Sequence, residues 1–99
     1  MLIIAGTITF DPAHTEALKA GAIAMMAATM EEEGCQDYVF SINLSNEATI
    51  QVFEIWDTEE QLQAHFKMPH MADFQQVLAG IGITARDLAK YQVASSGPM

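Results

Sequence analysis

The stretch LIIAGTITF, Leu2 to Phe10, is rich in apolar and β-branched residues and predicts a first strand. Asp11-Pro12 follows as an N-cap with proline at the first helical position, so a helix is expected from Ala13 to about Met30. Leu18, Ala22, Met25, Met26 and Met30 recur on one side of it at helical spacing. Glu31, Glu32, Glu33 and Gly34 close that helix. Three carboxylates at a C-terminus oppose the helix dipole, so the run reads as a frayed, solvated end. Cys35–Leu44 and Ala48–Trp56 read as strands joined by the short turn Ser45-Asn46-Glu47, an antiparallel hairpin. Thr58 and Gln61 match a capping box, and the helix they open should stop near Met68, before Pro69. A short helix from Pro69 to about Leu78 ends at Gly80 and Gly82, and the last strand lies between Thr84 and Ser95. No linker or repeat interrupts the chain, so residues 1–95 are expected to form one domain, with 96–99 as a tail.

This order, βαββα(α)β, is the pattern of a ferredoxin-like α+β sandwich: a four-stranded antiparallel sheet with helices on one face. The strands carry a second message. Leu2, Ile4, Ile8 and Phe10 share one face of the first strand, yet Ile3 and Ala5 are apolar on the other. From Ile50 to Trp56 both alternating sets also hold large apolar residues. A sheet face open to water should be polar at alternate positions. The helices cover only one face, so a second copy packed sheet to sheet is the expected cover, in a symmetric homodimer.

Charge narrows the choice of ligand. Four Lys/Arg against thirteen Asp/Glu give a formal net charge of −9. That surface disfavours nucleic acid and anionic membranes, and a neutral or weakly polar aromatic ligand suits it better. MLIIAGTITF lacks a basic leader and its apolar run is broken by Gly6 and Thr7, so a cytoplasmic location is expected. Cys35 is alone and reads as a small packed thiol, with no base named beside it.

The stretch AHFKMPHMADF holds the candidate chemistry, with His65 and His70 either side of Pro69. Five residues and a proline apart, they do not share a helix face, and two imidazoles alone make no metal site. No metal is therefore expected. His65 faces the sheet, where Glu54 on the third strand could pair with it, either to orient helix against sheet or to fix the tautomer of a base. His70, in the first turn after Pro69, is either a helix-start residue bonded to backbone or the competing base.

Three stretches together carry a resemblance. Glu32, Gly34, Cys35 and Tyr38 stand in EEEGCQDYVF; Glu54, Trp56, Glu59, Ala64 and His65 in FEIWDTEEQLQAH; and Pro69, His70 and Phe74 in MPHMADF. They resemble the antibiotic biosynthesis monooxygenase (ABM) family of dimeric α/β-barrel proteins, over essentially the whole chain. The resemblance implies a cofactor-independent monooxygenase acting on a phenolic or quinol-type small molecule. It implies Trp56, Tyr38, Phe40 and Phe74 as pocket walls, His65 or His70 as base, and Arg86 or Tyr91 as the group that polarises oxygen. The haem-degrading branch of the superfamily is rejected, because Gly6, His65 and Gln75 depart from its pattern and leave no axial ligand. Two further readings remain: a non-catalytic dimeric small-molecule-binding protein, and a sugar-phosphate isomerase, against which the scarcity of cations argues.

Overall fold

The structure is a computed structural model that describes all 99 residues. Its elements run β1 (Leu2–Thr9), a short 3-10 turn (Pro12–His14), α1 (Thr15–Met30), β2 (Cys35–Asn43), β3 (Asn46–Trp56), α2 (Glu59–His65), α3 (Pro69–Ala79) and β4 (Ala85–Gln92). The four strands form one antiparallel sheet in the order β2-β3-β1-β4, the expected ferredoxin-like α+β arrangement.

The local signals act as their chemistry requires. The Asp11 carboxylate accepts the Ala13 N–H at 3.0 Å, and Thr58 Oγ1 accepts the Gln61 N–H at 3.2 Å. Pro69 opens α3 at a position where its missing N–H leaves nothing unsatisfied. The buried side of α1 is Leu18, Ala22, Met25 and Thr29, whereas Met30 is exposed, a one-residue correction to the expected stripe. Positions i, i+4, i+7 and i+11 track 3.6 residues per turn more closely than a stripe ending at Met30.

Register decides which side chains meet the helices. Leu2, Ile4 and Ile8 on β1 point with Ile50, Val52, Glu54 and Trp56 on β3 toward the layer of α1, α2 and α3. One irregularity in β2 matters for the site. Cys35 pairs with Trp56 and Tyr38 pairs with Glu54, so two residues of β2 lie between partners that are two apart on β3. The extra residue is a bulge. It returns Tyr38 to the helix side, next to Glu54. Leu2, Phe10, Trp56, Leu18 and Met25 are almost wholly buried at the centre of the core.

The opposite face has no cover within one copy. Val39 is 39% exposed, Phe53 38% and Tyr91 54%, and all three lie on it with Ile3 and Ile55. β4, at the sheet edge, is exposed at every position. At Gly6 the chain approaches β4 so closely that a Cβ would stand 1.9 Å from the Asp87 carbonyl oxygen. No helix is long and apolar enough to cross a membrane.

Candidate functional site

A cavity of about 420 Å³ lies between the helix-facing side of the sheet and helices α2 and α3. Its apolar wall comes from alternate strand positions (Ile4, Ile8, Val52) and from Leu62, Met71 and Leu78 on the helices. Tyr38, Phe40, Phe66 and Phe74 add aromatic surface, and the Phe40 and Phe74 rings stack at 5.3 Å. Such a slot suits a planar hydrophobic molecule.

Polar groups in it are few, and Glu54 is its one carboxylate. β3 alternation aims Glu54 inward, and Trp56, two residues on, donates its indole Nε1–H to Glu54 Oε1 at 2.9 Å. Burial pushes the Glu54 carboxyl up to about 7, against the pull of that hydrogen bond, with the Glu32 charge adding to the rise. Near neutral pH the group therefore exchanges a proton readily. Beside it, burial and the Glu54 charge push the Tyr38 hydroxyl far up, so it stays a neutral donor. Arg86 reaches the cavity and takes part in no ion pair, whereas Lys90 at the same rim is bonded to Glu59.

A second constellation lies outside this cavity. Glu32 Oε2 sits 2.6 Å from His65 Nδ1 and 2.7 Å from His70 Nε2, bridging the end of α1 to α2 and α3. His65 is fully buried, and desolvation holds its imidazole below its ordinary value even though the Glu32 carboxylate pulls the other way. Its ring packs against Trp56 at 4.9 Å and Tyr38 at 5.3 Å. One oxygen and two nitrogens that can ligate lie within 4.8 Å of one another.

The expected site residues thus divide. Tyr38, Phe40, Phe74, Arg86 and Glu54 come together around the cavity. Trp56 does not wall it; the indole is wholly buried and orients Glu54 from behind. Tyr91 pairs with Ile3 and points to the uncovered face. Neither His65 nor His70 lines the cavity. The expected His65–Glu54 pair is replaced by His65–Glu32, because Trp56 occupies Glu54 and α2 presents Nδ1 to the end of α1.

Glu32 is the residue that sequence reasoning misread. The run Glu31–Glu33 looked uniformly solvated, yet the Glu32 side chain is only 5% exposed while Glu31 and Glu33 are exposed. The Glu-x-Gly-Cys spacing was the available signal. Gly34, at φ +85°, makes the turn in a left-handed conformation that larger residues rarely adopt. Cys35 follows as a half-buried thiol, pushed up by burial to about 11 and so unreactive at neutral pH.

A sequence profile described as antibiotic biosynthesis monooxygenase matches residues 1–77. A candidate antibiotic biosynthesis monooxygenase of Deinococcus radiodurans superposes with a TM-score of 0.90 at 23% identity, covering 100% of this chain and 98% of its own. Another, from Nitrosomonas europaea, superposes with a TM-score of 0.88 at 16% identity, covering 96% of this chain and 100% of its own. An uncharacterized protein of Synechocystis is 22% identical over 95 residues; the match takes in 96% of this chain but spans only 65% of that relative's length. At these identities the structural likeness establishes the fold, and the profile match establishes more. The chain belongs to the antibiotic biosynthesis monooxygenase family.

Proposed function

We propose that this protein is a cofactor-independent monooxygenase that oxidises a phenolic or quinol-type molecule, with Glu54 as the proton acceptor. The observation that carries the reading is a single carboxylate, poised near pH 7, inside an apolar and aromatic cavity. A phenol stacked between Phe40 and the apolar wall would give its proton to Glu54 Oε2, the oxygen not engaged by Trp56. The phenolate passes one electron to O₂, and the radical pair combines at a ring carbon to form a peroxide. Loss of water then leaves the quinone, so one oxygen atom stays in the product and the other departs as water. The substrate supplies every electron. Tyr38 and Arg86 supply donors for the negative charge that develops on oxygen.

His65 and His70 are less suited to the role of base, since both face Glu32 rather than the cavity. The same reading has two copies packing through the face that carries Val39, Phe53 and Tyr91, which buries the apolar surface a single copy leaves in water. The test is O₂ consumption with reduced quinones and anthrone-type phenols. Glu54→Gln should lower turnover by about 10²-fold or more, the usual scale of losing a general base, while His70→Ala retains most of it. The reverse ranking returns the role of base to His70. Saturable ligand binding with no O₂ consumed by any phenol would make the protein a binding module.

A further inference from the structure

We infer that Glu32, His65 and His70 form a binding site for a divalent transition-metal ion of the zinc class, separate from the cavity. His65 and His70 lie 33 and 38 positions after Glu32, and the three come from the turn after α1, from α2 and from α3, yet His65 Nδ1 and His70 Nε2 aim at the same carboxylate oxygen. Two imidazole nitrogens and a carboxylate are a donor set that zinc accepts, at about 2.0–2.2 Å from each ligand. An ion at their meeting point takes the place of the proton each imidazole otherwise shares with Glu32, with small adjustments of the three side chains.

A second observation points the same way. Glu32 Oε1 is buried and has no hydrogen-bond partner, although the side chain is 5% exposed. Hydrogen bonding alone crowds two donors onto Oε2 and leaves its twin empty, an unfavourable arrangement for a buried oxygen. A cation held by both oxygens of the carboxylate satisfies each of them. Exposure is graded from His65 at 1% to His70 at 23%, so the open side of the site lies beside His70. Solvent there supplies the fourth ligand and the path by which the ion arrives. The net charge of −9 favours capture of a dication. None of the three residues lines the cavity, so this site stands whether or not the oxygenase reading holds.

The test is zinc uptake by the chelator-stripped full chain, measured by equilibrium dialysis and by the thermal unfolding midpoint. One zinc per chain and a raised midpoint are expected at about tenfold excess of ZnCl₂. Glu32→Gln and His70→Ala should each weaken affinity by about a hundredfold, at or beyond the upper end of what outer-sphere partners cost. His14→Ala and Cys35→Ser, which alter the remaining histidine and the thiol, should leave uptake unchanged. Circular dichroism verifies folding; His70→Ala, at a half-buried position, carries the test if Glu32→Gln does not fold. Absence of stoichiometric uptake overturns the inference. So does uptake that survives both substitutions or depends on His14 or Cys35.

Discussion

Glu54→Gln isolates the feature on which the proposed chemistry of this cavity rests. The carboxyl's ordinary value of 4.5 rises to about 7 in the folded chain, so the folded state holds its proton more tightly than the unfolded one. Below pH 4.5 both states are protonated and the burial of Glu54 carries no ionic penalty. Between 4.5 and about 7 the unfolded chain ionises while the folded chain does not, and stability falls by about 1.4 kcal/mol per pH unit. Above about 7 both states are ionised and the full penalty stands, about 3 kcal/mol on the difference between those two values. Glutamine keeps an oxygen for the Trp56 N–H but cannot ionise, so the variant lacks this dependence. Urea unfolding of both proteins from pH 4.5 to 8.5, at one protomer concentration, measures it. Subtracting the two curves removes what the Glu32 cluster and the Glu59–Lys90 pair contribute to each. The variant should gain on the native chain by about 3 kcal/mol across that window. Parallel curves would refute a Glu54 carboxyl held near 7, and the proton-acceptor role with it.

Trp56→Phe removes the donor that steadies the ionised Glu54, so the carboxyl should rise above about 7. The alkaline-rising limb of the rate profile then moves to higher pH, and a limb that stays in place shows that the indole does not tune the group. Phe53→Asp puts a charge in the middle of the uncovered sheet face. Sedimentation should show association of copies weakened by at least about tenfold, given that a buried unpaired charge is costly. A native chain that sediments as a monomer at micromolar concentration removes the sheet-to-sheet dimer. Gly6→Ala forces a methyl against the Asp87 carbonyl and should cost about 3 kcal/mol in urea unfolding, with hydrogen exchange rising first in β4. A cost near zero would mean that β4 shifts freely.

Much of the fold was legible because it rests on local chemistry. Thr58 with Gln61 and Pro69 marked the starts of α2 and α3, whereas Asp11-Pro12 caps the short 3-10 turn that leads into α1, which begins at Thr15 rather than Ala13. The double-sided apolar pattern of the strands foretold the uncovered face. The site was harder to read. Alternation placed Glu54 on the helix side, but its partner depended on whether Trp56 or His65 reached it first, which is a matter of side-chain length and helix placement. Tyr38 reached the cavity only through the bulge in β2, which period-two counting does not see. Glu32 was hidden by its neighbours. Composition assigns all three glutamates to solvent, and only the docking of α2 and α3 against the end of α1 distinguishes the middle one.

The two polar constellations are joined by one ring. His65 is fixed through Nδ1 to Glu32, and its ring lies against Trp56 and Tyr38, which hold and flank Glu54. The indole that bonds the cavity's carboxylate thus rests on an imidazole that does not line the cavity. The Trp56 hydrogen bond is what pulls the Glu54 carboxyl back toward its ordinary value. His65, which resembles a catalytic base in the sequence, instead packs behind the cavity against Trp56 and Tyr38. In a chain of 99 residues with a single core, a tunable carboxylate in an apolar cavity requires such support, because the aromatic side chains that make the cavity also position the charge.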